Sequence, residues 1–158
     1  MALDHFIQPT VPDNAATAAR LGGAQGAANQ MNANDIGKFV KLVAESRYDQ
    51  TAAGDAIEGA VYSVEMALQN GYAIGSVLED ARMRVTFDGS QAAGTGTVAV
   101  GDLVVAGAVE ARNTPIANGY PKVRKATAQT ATPFMWRVVS LGTVGTGAVG
   151  TIGVIARV

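Results

Sequence analysis

A chain of 158 residues with no cysteine and a single histidine can hold one compact core, and it has neither a disulfide framework nor a thiolate metal site or thiol nucleophile. Apolar residues make up 48% of it but aromatics only 6%, so the core is assembled from small side chains, a composition that gains from subunit contacts. The net charge of −1 hides a split: the first 110 residues hold all thirteen acids against six Lys and Arg, while Ala111 to Val158 holds six Lys and Arg and no acid, and two surfaces of opposite sign point to assembly.

In chain order, residues 1–35 read as an arm. They carry Pro9, Pro12 and the run "LGGAQGAANQMNAND" with few large apolar side chains, too little to repay the entropy of ordering. A short helix capped by Asp13 is expected to stop at Gly22-Gly23. From Ile36 the pattern changes to two-residue alternation. In "RMRVTFDG" (82–89), Met83, Val85 and Phe87 face one way and Arg82, Arg84 and Thr86 the other, as in a half-buried strand closed by an Asp-Gly turn. Further strands are expected at 37–44, 56–66, 72–78, 96–100, 102–110, 120–126, 134–142 and 151–158, with turns at Asn70-Gly71, Gly101-Asp102 and Asn118-Gly119. Residues 91–97 and 111–121 read as longer connections. "GAVEAR" and "GVIARV" echo each other weakly, and no sound internal repeat emerges. Short strands at this spacing predict an all-β fold, a small antiparallel β-barrel or sandwich over 36–158 behind the N-terminal arm.

No catalytic, metal or cofactor site is read from the sequence. His5 lies in the arm, away from the clustered acids that metal binding or general-base work would need. Ser46, Ser63, Ser76, Ser90 and Ser140 lack a nucleophile elbow and have only His5 as a base. Glu79 and Asp80, adjacent in sequence, point to opposite faces of a strand and make a poor acid/base pair. "LGTVGTGAVGTIG" is rich in glycine, but it lacks the Gly-Lys-Ser/Thr ending of a phosphate loop, so its glycines read as bends between strands. Lys122, Arg124 and Lys125 form a basic stripe, with Arg137 on the next strand. Without interleaved aromatics this pattern favours a subunit contact over nucleic acid. Trp136, the only Trp, shares a face with Phe134 and Val138 and reads as strand core, with an interface anchor as the competing role. The interface candidates are therefore Lys122, Arg124, Lys125, Trp136 and Arg137. No apolar run reaches membrane-span length, and Met1–Thr10 carries no signal-like run, so a soluble product of the cytoplasm is expected.

The strings "VAVGDLVVAGAVEA" (98–111), "PKVRKATA" (121–128) and "PFMWRVVSLGTVGTGAVGTIGVIARV" (133–158) resemble the capsid cement, or head decoration, proteins of tailed bacteriophages. Upstream, "GKFVKLVAESRYDQTAAGDAIEGAVYSVE" (37–65) is similar in layout, with a G-D-x-I-x-G lead into the next strand. The arm lies outside the shared pattern. The resemblance implies a β-barrel or sandwich subunit, commonly a homotrimer, that sits on the capsid exterior, binds the major capsid protein and ties capsomers together without cofactor or reaction. Two other classes stay open: a trimeric carbohydrate- or receptor-binding head module, and a dUTPase-like enzyme, whose phosphate-gripping tail would need Arg and Ser where this chain has Thr and Val.

Overall fold

The computed structural model describes residues 16–67, 71–90, 95–127 and 136–158. The chain is all-β and closes two barrels of five strands each. The first comprises β1 (Ala16–Ala24), β2 (Phe39–Ala44), β3 (Arg47–Gln50), β4 (Gly59–Ala67) and β5 (Tyr72–Leu78). The second comprises β6 (Arg82–Phe87), β7 (Leu103–Ala106), β8 (Lys122–Lys125), β9 (Trp136–Ser140) and β10 (Ile152–Arg157). Residues 79–81 join them.

The two barrels share one topology. The strand order around the first is β1-β3-β2-β4-β5 and around the second β6-β8-β7-β9-β10. Each is antiparallel except for one parallel pair, β1 with β3 and β6 with β8. The match extends to individual hydrogen bonds. Gly37 N–H donates to Val61 O at 2.7 Å and Val61 N–H to Lys38 O at 3.0 Å; Gly101 N–H donates to Val138 O at 2.8 Å and Val138 N–H to Asp102 O at 2.9 Å. Gly37 and Gly101 hold φ of 88° and 92°, left-handed values that cost glycine nothing and other residues strain. Thr51 N–H reaches Phe39 O as Ala126 N–H reaches Leu103 O. The ladder between the fourth and fifth strands shifts register just after Val61 in one barrel and just after Val138 in the other. Gly75 and Gly153 sit at the same close approach: a Cβ at Gly75 would run into Ser63 O and the Leu21 side chain, and one at Gly153 into Ser140 O and the Phe87 ring. The chain is thus an internal duplication, and the expectation of no sound repeat is corrected. The echo between "GAVEAR" and "GVIARV" does not mark it, because the first string lies in the β7–β8 connection and the second in β10.

Each barrel has its own interior. Ala19, Leu21, Met31, Val40, Tyr48, Val61, Ala73 and Val77 fill the first. Met83, Val85, Phe87, Val104, Val123, Trp136, Val138 and Ile155 belong to the second, all of them inward positions of alternating strands. The second core also takes in Phe39, Ile57, Ala60 and Leu78 of the first barrel. Phe39, Ala60 and Leu78 are direct neighbours across β2, β4 and β5 and point out of the first barrel, so this outer row docks it onto the second. Main-chain bonds seal the docking, with Gly54 N–H on Ala106 O at 2.8 Å and Ala106 N–H on Asp55 O at 3.0 Å.

Several expectations change. The arm boundary at residue 35 is corrected: 16–24 form β1, a strand where a helix running to Gly22-Gly23 was expected, and Leu21 and Met31 are fully buried, while residues 1–15, with His5 and the Asp13 cap, lie outside the described residues. Small side chains misled there, since β1 passes beside Gly75, where little room exists. The single β-domain is two barrels. β3 was not expected as a strand, because "RYDQ" is polar, yet Tyr48 and Gln50 point inward. Residues 96–100 form no strand; Thr97 makes only an isolated bridge to Ala148.

Candidate functional site

The basic stripe of β8 is engaged within the chain. Lys122 Nζ lies 3.5 Å from Glu110 Oε1 and Lys125 Nζ 2.8 Å from Asp102 Oδ1. Arg124 lies over Gly54 of the first barrel, where a Cβ would meet its Nη2 at 2.6 Å. Trp136 is fully buried in the second core; it is not a surface anchor. Its indole N–H has no partner among the described residues, and its backbone pairs with Val104 and Arg157. Phe134, expected on the same face, lies outside the described residues. Of the five interface candidates only Arg137 is exposed.

Arg137 has neighbours that the sequence reading left unconnected. Arg137 and Arg82 both lie opposite Ala156, one from each side of β10, and Arg84 lies opposite Val154 in the next row. All three arginines are exposed and on the outer face of the second barrel. Val139 and Ile152, 39% and 44% exposed, share that face. No salt bridge involves these arginines among the described residues. A groove of about 450 Å³ runs beside Arg84, lined also by Tyr120, Ser140, Thr143, Ile152 and Val154.

The duplication also redraws the charge split. Residues 16–81 carry four Lys and Arg against eight Asp and Glu, net −4, and residues 82–158 carry eight against three, net +5. The sign therefore changes between the barrels rather than at residue 111. Part of this charge is spent internally. Asp35, fully buried, binds Lys38 Nζ at 2.7 Å and accepts from Asn113 N–H at 2.9 Å, and the same Lys38 donates to Ala111 O at 2.6 Å. Arg112 pairs with Asp49, and Gln50 Nε2 donates to Glu110 O at 2.7 Å. The 107–121 connection is thereby clamped to the first barrel by polar groups of β3 and of the turn before β2. Exposed are Glu45 and Glu65 with Arg20 on the first barrel, Asp80 on the linker, and Arg82, Arg84 and Arg137 on the second.

Glu79 is more than a solvated turn. Tyr48 Oη donates to its carboxylate and Arg157 Nη1 donates to its carbonyl at 2.8 Å, so the inter-barrel linker is tied to both barrels. Burial, then the hydrogen bond to Glu79, pushes the Tyr48 phenol well above its ordinary value. At Asp55, burial opposes ionisation, but Lys41 Nζ at 2.6 Å and Ala52 N–H hold the carboxyl below its usual range. Among the described residues no group of three or more His, Asp or Glu could hold a metal ion, and no helix is long and apolar enough to cross a membrane. Comparison of the chain with protein-family models, with curated proteins and with solved structures gives no match.

Proposed function

We propose that the chain is a structural virion protein that binds the outer face of a tailed-phage capsid as a homotrimer and ties neighbouring capsomers together. The single observation that carries this beyond the sequence resemblance is the open sheet face of the second barrel. Arg82, Arg84 and Arg137 stand around Val139, Ile152 and Val154 there, at the basic end of a body whose other barrel is acidic. Such a face suits contact with protein surfaces of opposite charge, and weak contacts repeated in each copy multiply through avidity. The buried polar groups described above are spent on fixing one barrel against the other, as a rigid tie requires.

The test uses heads of the phage that encodes the chain, stripped of it. Purified protein should add back at a fixed number of copies per particle and raise the temperature at which the heads open. Failure to bind stripped heads at micromolar protein would overturn the proposal. The groove beside Tyr120 favours a second reading, a glycan-binding head module. Retention on a glycan array by the wild type, lost in Tyr120→Ala, would support that reading instead.

A further inference from the structure

The geometry points to a head-to-tail contact between copies of this chain, in which the outer row Arg137–Ala156–Arg82 of one second barrel docks on the Leu42–Val43–Glu45 edge of the next copy's first barrel. Two independent observations meet on these surfaces.

The first is the duplication. Within the chain, the outer row Phe39–Ala60–Leu78 of barrel one packs on barrel two, beside the end of β7, where Gly54 and Asp55 bond both main-chain groups of Ala106. By strand register, Ala106 opposes Val123 as Leu42 opposes Tyr48, so Leu42 is the counterpart of Ala106. The row matching Phe39–Ala60–Leu78 is Leu103–Arg137–Ala156, continued by Arg82; Leu103 is itself buried, and the open part of the row is Arg137–Ala156–Arg82. In the single chain the Leu42 edge has no barrel against it: Leu42 and Val43 are 48% and 41% exposed, and Leu42 N–H is bound by the Glu58 carboxylate at 2.8 Å. Repeating the internal docking between copies brings the uncovered row onto the uncovered edge.

The second is charge. The uncovered row is basic through Arg82 and Arg137, whereas its internal counterpart is apolar, with Ala60 fully buried where Arg137 is exposed. On the uncovered edge Glu45 is exposed and Glu58 half-buried, while Lys41 is paired with Asp55 and Arg47, opposite Ala44, is half-buried; the edge lies on the barrel of net −4. A heterologous contact of this kind closes into a ring or runs on as a filament. Closure after three copies gives a ring in which the two barrel types alternate. The trimer rests on the capsid proposal; the pair of surfaces does not.

The experiment is light scattering coupled to size exclusion on the full chain, with circular dichroism to establish folding. The wild type should exceed the 16.1 kDa of one chain. Arg82→Glu with Arg137→Glu, and separately Val43→Arg with Glu45→Arg, should each run as folded 16.1 kDa monomers. The four substitutions together restore opposite signs and should recover the wild-type mass. A wild type that stays monomeric at millimolar concentration, a pair variant that keeps the wild-type mass, or a fourfold variant that stays monomeric would overturn the contact. If the Arg82/Arg137 variant keeps its mass but leaves stripped heads bare, the self-contact fails and the capsid proposal stands. Conversely, rescue of mass by the fourfold variant, with no binding of any protein to heads, sustains the contact while the capsid proposal fails.

Discussion

The two barrels solve the same closure with different side chains. Inward space opposite Val40 is left by Gly59, and opposite Val104 it is filled by Trp136. Where the first barrel has Tyr48 on its third strand, the second has Val123; where the first has Leu21, the second has Phe87. The backbone devices are held fixed: the left-handed glycine before the second strand, the register shift in the fourth, and the glycine against which Leu21 or Phe87 packs. Main-chain geometry therefore constrains this barrel more tightly than any particular core residue, as expected when volume-conserving changes are tolerated but overpacking is not. Outside, the barrels diverge by role. Ala60 makes a dry contact and Arg137 keeps the matching position wet, which leaves one barrel docked and the other open.

Exchanging that pair should break the comparison most sharply. Ala60→Arg places an unpaired charge in the docked row and should cost more than about 3 kcal/mol, whereas Arg137→Ala at the exposed counterpart should change stability by less than about 0.5 kcal/mol. Urea titrations of both variants read the difference; equal effects would mean that the docked row is not buried. Trp136→Ala should cost about 3–5 kcal/mol. Because Phe39, Ala60 and Leu78 pack on the same core, calorimetry should show one transition for both barrels, and two separated transitions would show that the docking contributes little. Gly75→Ala and Gly153→Ala should each destabilise by roughly 1–3 kcal/mol, with Gly75 the less forgiving because the Ser63 carbonyl would lie closer to its Cβ than the 2.6 Å of the Ser140 carbonyl at Gly153. A neutral result at Gly75 would contradict the close approach.

The smallest expected effect concerns pH. The Asp55 carboxyl is held below its ordinary value by Lys41 and Ala52 N–H, against the opposing effect of burial. Its contribution is therefore complete above the unfolded value of about 3.9 and is lost as pH falls through the lowered folded value. The gap in melting temperature between wild type and Asp55→Asn should be steady at neutral pH and shrink on acidification below about pH 4. A gap that widens in acid would reverse the sign assigned here. The effect stays small because Lys41 and Asp55 are both partly exposed, where solvent screens the pair.

The strands with strict alternation were legible in the sequence. "RMRVTFDG" became β6 with Met83, Val85 and Phe87 fully buried, and Trp136 took the core position that its alternation with Val138 indicates. β1 was not legible, since "ATAARLGGA" has a single large apolar residue; its stability comes from ladders on two sides and from small residues suited to the approach of Gly75. The duplication was hidden by uneven connections. Gly37 and Gly101 are 64 residues apart, Tyr48 and Val123 75, and Gly75 and Gly153 78, because a tight Glu45-Ser46 turn in one barrel is the long 107–121 connection in the other. The paired strings that mark it, "GKFV" with "GDLV", "VYS" with "VVS" and "IGSV" with "IGVI", are too short to stand out without a register. The basic stripe misled because charge along a sequence does not disclose its partners: Glu110 and Asp102 reach Lys122 and Lys125 only through the fold, while Arg82, Arg84 and Arg137 gather only when β6, β10 and β9 pair.

A cryo-electron microscopy map of heads decorated with the protein tests the central claim most directly. The account predicts rings on the outer face in which acidic and basic barrels alternate, with Arg137 of each copy against the Leu42–Glu45 edge of the next. Heads without added density, or copies seated singly with both surfaces turned to solvent, would contradict it.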